Sequence, residues 1–313
     1  MLSQEQSDAL RQVVEKAEGA ARDGSGEASR VLAILAATGM GLPHDLKAAL
    51  QHLQDAAERG SGSAQAELAA LAGNWPLAHE ILSGRKQQSE AWGRLRAGVD
   101  IGAWLHLPPL AEISAEPRIA VVDGFISSPT CDWLIRVARP LLKQAQIFDN
   151  PTGGRLDDGR RNNSAAELHL SCMDTVIAFL RARIATLAKV PLAWLNAESC
   201  QIMHYNPGEE FVPHYDFLDV NHPGLARDVA SNGQRALTLL VYLNEEYENG
   251  QTAFPLLGRS FRGRKGDALL FWNVADDGTP DQRTLHAGTP PTSGEKWLLS
   301  QWIRRRGAAS AIG

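Results

Sequence analysis

At 313 residues the chain suits about two domains of the usual ~100–200 residues each. Its 44% hydrophobic and 21% charged residues are ordinary for a globular protein, and a formal net charge of -5 gives no electrostatic reason to expect nucleic acid as the main partner. No segment approaches the ~18 uninterrupted apolar residues of a membrane-spanning helix, so no membrane association is expected. The polar N-terminus lacks the basic stretch and apolar run of a signal peptide. Cys131, Cys172 and Cys200 are widely spaced and form no CxxC pair, which points away from a disulfide framework or zinc ribbon and toward a reducing cytoplasm.

Residues 1–85 are rich in Ala and Leu and contain an internal echo. "AARDGSGEA" from Ala20 returns as "AAERGSGSA" from Ala56, a period of 36, and Leu32, Ala33 and Leu35 correspond to Leu68, Ala69 and Leu71. Such a period predicts an all-α helical repeat segment, in which each helix pair buries its apolar face against its neighbours. Gly24 and Gly60 fit left-handed helix ends. The stretch from Val31 to Gly60, with its G-x-G turn at Gly39 and Gly41, Asp45, "KAA" at Lys47 and a closing "AAERG", resembles a Sel1-type unit of the tetratricopeptide class. That resemblance implies a surface for a protein partner or for docking on the rest of the chain, and both readings stay open from sequence.

Residues 86–116 read as a connector that is helical at first, with Pro108 and Pro109 forbidding continuous helix. From residue 117 to 306 the pattern changes. "RIAVVDGF", "CQIMHY", "ALTLLVYL", "DALLFW" and "KWLLSQWI" are short apolar or alternating runs set between Gly, Pro, Asn and Asp clusters, which predicts strands of an all-β core. "SSPTCDWLIRVARPLL" and "SCMDTVIAFLRARIATLA" have helical spacing and are expected to brace the sheet. Asn150–Asn163 and Leu218–Gln234 are long, turn-rich loops suited to controlling access to a site. Residues 307–313 form a tail.

Chemistry concentrates in "HYNPGEEFVPHYDFLD", His204 to Asp219. Residues i and i+2 of a strand share a face, so an extended "FVPHYDFL" projects His214 and Asp216 together. His286, in "RTLHAGTPP", is the best third ligand, and His204 and His222 are rivals. Two imidazoles and one carboxylate suit a non-haem Fe(II) site with open positions. In "KWLLSQWI", Lys296, Leu298, Ser300 and Trp302 share one face. A lysine on the apolar side of an interior strand needs a partner, because burying an isolated ammonium is costly. A dianion such as 2-oxoglutarate, chelating a metal at one end and meeting Lys296 at the other, supplies one.

With those residues in place, residues 117–306 resemble the prolyl 4-hydroxylase catalytic domain of the Fe(II)/2-oxoglutarate dioxygenases. The resemblance runs in order through "VVDGFISSPTCDWLI", "HYNPGEEFVPHYDF", "GQRALTLLVYLN", "NGQTAFP", "KGDALLFWN" and "LHAGTPPTSGEKWLLSQWI". It implies a double-stranded β-helix (jelly-roll) barrel behind the helical segment. It further implies that His214, Asp216 and His286 hold iron and that Lys296 anchors 2-oxoglutarate, with Tyr205 and Thr252 as hydrogen-bonding neighbours. By the same resemblance Trp302 walls the pocket and Arg235 contacts a peptide substrate. Two positions depart from the family pattern: Asn249 stands in the glycine pair before the Thr, and Phe211 stands where an aromatic hydroxyl is common.

The implied reaction consumes O2 and 2-oxoglutarate, with ascorbate as a reductant, releases succinate and CO2, and hydroxylates a proline-containing protein or peptide. Two other readings remain open from sequence: a dioxygenase of nucleic acid or a small molecule, and a repeat-based binding module with an inactive barrel.

Overall fold

The computed structural model describes residues 4–84, 91–145, 147–148, 155–156 and 161–305. In chain order the first helices are α1 (Gln4–Arg22), α2 (Gly26–Thr38), α3 (Leu46–Glu58), α4 (Gly62–Leu71) and α5 (Trp75–Leu82). There follow α6 (Trp92–Ala97), α7 (Ile101–Leu105), α8 (Ser128–Ala138), α9 (Thr175–Ala188) and α10 (Pro223–Asn232). The strands begin with β1 (Ala111–Ala115), β2 (Arg118–Val122), β3 (Lys143–Gln144), β4 (Ile147–Phe148), β5 (Arg155–Leu156), β6 (Ser164–Leu168), β7 (Cys200–Tyr205) and β8 (Phe211–His214). They continue with β9 (Gln234–Tyr242), β10 (Glu248–Asn249), β11 (Thr252–Phe254), β12 (Arg259–Phe261), β13 (Ala268–Trp272), β14 (His286–Gly288), β15 (Pro291–Ser293) and β16 (Lys296–Arg305). These elements divide into a helical unit, residues 1–106 with 172–193, and a β unit, residues 107–171 with 194–313.

In the helical unit the sequence period reappears as matching helix starts. Ser25 caps α2 by accepting from the Ala28 amide at 3.2 Å, and Ser61, 36 positions later, caps α4 from the Ala64 amide at the same distance. The glycines before each cap, Gly24 and Gly60, take φ of +95° and +86°, a region where a side chain would be strained. Small and aliphatic residues then pack α2 on α3 and α4 on α5. Helix α9 is apolar on nearly every side and is buried accordingly. It packs against α2, α4 and α7 and belongs to the helical unit. That corrects the expectation of a helix bracing the sheet: its 3.6-residue period was visible, its partner was not.

The β unit contains an eight-stranded antiparallel sheet, ordered β1-β2-β13-β9-β16-β7-β6-β3, and a four-stranded sheet, β12-β11-β14-β8. Two short pairs, β10-β15 and β4-β5, complete it among the described residues. The central strands β7, β9, β13 and β16 are apolar on both faces and buried almost throughout, and β7, β13 and β16 begin within a residue of where their sequence runs begin. Met203, Tyr205, Leu240, Phe271 and Leu298 of the large sheet share one core with Phe254 of the small sheet. A C-terminal antiparallel β domain of two sheets is thus present, as a jelly-roll requires.

The connector expected at 86–116 is helical at first, as its sequence suggested, and ends in a strand. It carries α6 and α7, and β1 at its end pairs with β2 as the edge of the large sheet. The loop expected at 218–234 is mostly α10, opened by Pro223 in its first turn. Its ends are closed by the Gln234 side chain, which accepts from the Leu218 amide at 2.7 Å and donates to its carbonyl at 2.8 Å. Most of the other expected access loop, and the tail, lie outside the described residues.

Candidate metal and cosubstrate site

His214 closes β8 and His286 opens β14, and the two are direct cross-strand partners. Their rings stand 4.3 Å apart between centroids. Each Nδ1 donates to the carbonyl two residues earlier, His214 to Val212 at 2.8 Å and His286 to Thr284 at 3.0 Å. A carbonyl can only accept, so Nδ1 carries a proton on both rings and Nε2 is the atom turned toward a metal. Burial, then the neighbouring His286, pushes the His214 pKa down to about 3. The imidazole is therefore neutral, the form that binds metals.

Asp216 sits two residues past His214, at a bend beyond the strand rather than within it. The bend brings its Oδ1 to 3.7 Å from His214 Nε2 and its Oδ2 to 3.5 Å from His286 Nε2. Burial opposes its ionisation, but the two imidazoles and a hydroxyl from Thr238 outweigh that and hold its pKa below the usual carboxylate range. The three ligand atoms lie within 4.8 Å of one another, and no other group of three such residues does so among the described residues. These gaps are too long for hydrogen bonds and suit ligand bonds of roughly 2.0–2.2 Å to one shared cation. His204 and His222 take no part: His204 faces away with Trp297, and His222 caps α10 beside Asp219.

The same pocket is lined by Tyr205, Thr252, Lys296 and Trp302. The shared face predicted for β16 is realised, since Lys296, Leu298, Ser300 and Trp302 all reach it. Lys296 is fully buried, and its Nζ has no hydrogen-bond partner among the described residues. Its nearest mitigation is the ring of Tyr205, its partner across β7, with Nζ 4.9 Å from the centroid. Burial alone pulls its pKa down to about 7. Thr252 Oγ1 meets the Tyr242 hydroxyl at 2.7 Å, and burial pushes the Tyr205 phenol up to about 12, so it remains a neutral donor. A pocket holding two imidazoles, one carboxylate and an ammonium with no hydrogen-bond partner among the described residues fits a divalent metal with a dianionic chelator.

Arg235 has an internal partner. It makes a two-pronged ion pair with Glu198 at 2.7 and 3.2 Å and stacks 3.8 Å over Trp302. Phe211 stacks flat on His214 at 3.5 Å. Several polar residues about the site escaped the sequence reading. Among them are Tyr242, Arg161, which also lines the pocket, Thr238, which donates to Asp216 Oδ2 at 2.7 Å, and Asn273, whose amide donates to Thr238 at 2.9 Å. The available signal was slight: one threonine inside "ALTLLVYL" and one asparagine ending "ALLFWN".

Residues 200–304 match the 2OG-Fe(II) oxygenase superfamily. Prolyl 4-hydroxylase 1 of Arabidopsis thaliana is 33% identical over 208 residues, spanning 62% of this chain and 71% of that one. Prolyl 4-hydroxylase 5 of the same plant is 33% identical over 211 residues, covering 61% and 69%. Among solved structures, the viral collagen prolyl hydroxylase of Paramecium bursaria Chlorella virus-1 is 28% identical, with a TM-score of 0.44 over 60% of this chain and 96% of that chain. Sharing a third of its aligned residues with relatives of which it covers more than two thirds, the chain belongs to the prolyl 4-hydroxylase-like 2OG-Fe(II) oxygenases and is a 2-oxoglutarate-dependent dioxygenase.

Proposed function

We propose that the protein hydroxylates prolyl residues of a peptide substrate, consuming 2-oxoglutarate and O2 and releasing succinate and CO2. The observation that carries this reading is the buried, unpartnered ammonium of Lys296 in the same pocket as the His214, Asp216 and His286 cluster. In this assignment those three residues hold Fe(II), whose bound form couples oxidative decarboxylation of the cosubstrate to attack on a C–H bond. His214 and His286 present lone pairs already oriented by their backbone hydrogen bonds. Lys296 receives the far carboxylate of 2-oxoglutarate, with the Tyr205 and Thr252 hydroxyls beside it. Trp302 walls the pocket, and the Arg235–Glu198 pair holds that wall and borders the peptide path. The apolar surroundings exclude water, which strengthens the ion pair and protects the oxidising step.

Residues 1–85 are assigned as Sel1-like repeats that present a surface to a protein partner, 86–116 as the link, and 117–306 as the catalytic segment, apart from 172–193, which pack with the helical unit. Three free cysteines are consistent with a reducing, cytoplasmic setting. No described helix is long and apolar enough to cross a membrane.

The test is direct. Purified protein with Fe(II), 2-oxoglutarate and ascorbate should release succinate and add one oxygen to proline-containing peptides, read by mass spectrometry. Asp216→Ala should abolish both, a loss beyond the ~10–100-fold usual for residues that only support a ligand. Succinate release undiminished in Asp216→Ala would overturn the metal assignment. Oxygen added to methylated oligonucleotides and never to peptides would overturn the substrate.

A further inference from the structure

We infer that Thr238 and Asn273 are positioning residues, a hydrogen-bond relay of fixed polarity that presents the Asp216 carboxylate to the metal. The inference rests on Asp216 being a metal ligand, as proposed above. Thr238 lies at the centre of β9, fully buried, paired with Phe271 of β13 on one side and Trp302 of β16 on the other. Asn273 follows β13 and is equally buried. Its backbone is held at both ends, the amide donating to Ala236 at 2.8 Å and the carbonyl accepting from Asp281 at 2.9 Å.

The direction of the relay follows from chemistry. An ionised carboxylate only accepts, so the Thr238 hydroxyl must give its single proton to Asp216 Oδ2. The hydroxyl oxygen is then left to accept, and only the NH2 group of Asn273 can serve it. Reversing either end would set acceptor against acceptor. Oδ2 is thereby pinned, while Oδ1, which faces His214 Nε2 at 3.7 Å, has no hydrogen-bond donor among the described residues and is free for a cation. The relay is also neutral. It fixes the carboxylate without the competing charge that a lysine or arginine would bring to a cation site. A buried polar pair of this kind, Thr238 in the middle of a largely apolar strand and Asn273 just past the end of another, has an obvious cost, and no other side-chain partner among the described residues explains it.

The test uses full-length protein and Mn(II) as the probe, with affinity read by calorimetry and folding by thermal unfolding. Thr238→Val keeps the shape and removes the proton, and should weaken Mn(II) binding by ~10–100-fold. Thr238→Ser restores the hydroxyl and should bind within a few-fold of the parent. Asn273→Ala, which frees the hydroxyl to turn away, should fall between them, and it carries the comparison if Thr238→Val does not fold. Parental affinity in both Thr238→Val and Asn273→Ala would overturn the relay. So would a Thr238→Ser variant as weak as Thr238→Val, since the methyl rather than the hydroxyl would then matter. A parent protein that binds no Mn(II), or an Asp216→Ala variant that binds it fully, would instead sink the metal assignment and the relay with it.

Discussion

Both units bury a charged side chain deep in their packing, and the two are treated in opposite ways. In the helical unit Glu67 of α4 is answered on both carboxylate oxygens. One accepts from Arg30 Nε at 2.5 Å, and the other accepts from the Thr175 amide at 2.9 Å and the Thr175 hydroxyl at 2.7 Å, at the start of α9. In the β unit Lys296 is buried at least as completely, and its ammonium lies over the face of Tyr205 with no hydrogen-bond partner among the described residues. A buried charge with its partners in place joins elements together. A buried charge without them costs stability unless it is neutralised, and it marks where a ligand of opposite charge belongs. The contrast separates scaffold from site without reference to any relative.

The sharpest way to break that contrast is Lys296→Met. Removing one member of a buried pair should cost 2-oxoglutarate binding ~3–5 kcal/mol, a loss of at least ~100-fold in affinity by calorimetry. The ligand-free variant should meanwhile melt higher than the parent, since an unpaired ammonium has been exchanged for an apolar chain of similar length. Affinity unchanged, with a lower melting point, would mean that Lys296 has a structural partner after all.

A smaller effect should appear in the pH dependence of the parent. Without ligand, burial holds the Lys296 pKa at about 7. The dianion binds the ammonium and raises that pKa, so binding takes up a proton once the pH exceeds the free value. Affinity should therefore be full below pH 7 and fall above it, by at most about tenfold per pH unit. In Lys296→Met the decline should vanish. A slope that persists in the variant would assign it to another group.

Much of this site was legible because strand geometry is local. The two-residue period placed Lys296, Leu298, Ser300 and Trp302 on one face before any partner was known. What escaped was tertiary. That His214 and His286 are register partners depends on how β8 and β14 meet, and Asp216 reaches the cluster through a bend that the alternation of "FVPHYDFL" conceals. The choice of Glu198 by Arg235 spans 37 residues, and nothing in either neighbourhood announces it. Helix α9 was visible as a helix, but a segment apolar all round names no partner. β1 was missed because "AEISA" is short, polar and almost wholly exposed at a sheet edge, without the apolar alternation that identifies an interior strand.

The smallest effect comes from the other side of the comparison. Glu67→Gln keeps the shape of the side chain and one acceptor oxygen, and turns the other into a donor. The ion pair with Arg30 is lost in either orientation; with the donor toward Thr175 the hydrogen bond from its amide is lost as well, and with the donor toward Arg30 two donors are set against each other. Either rotamer should cost about 1–3 kcal/mol, read as an earlier midpoint in urea. Mn(II) and 2-oxoglutarate affinities should stay at parental values, because Glu67 joins α2, α4 and α9 and touches nothing in the pocket. The two variants thus carry opposite signs: neutralising Glu67 should lower stability and spare binding, while neutralising Lys296 should raise stability and damage binding. A Glu67→Gln protein as stable as its parent would show that this carboxylate, despite its three donors, contributes no more than a neutral amide would, and burial with partners could no longer be read as structural.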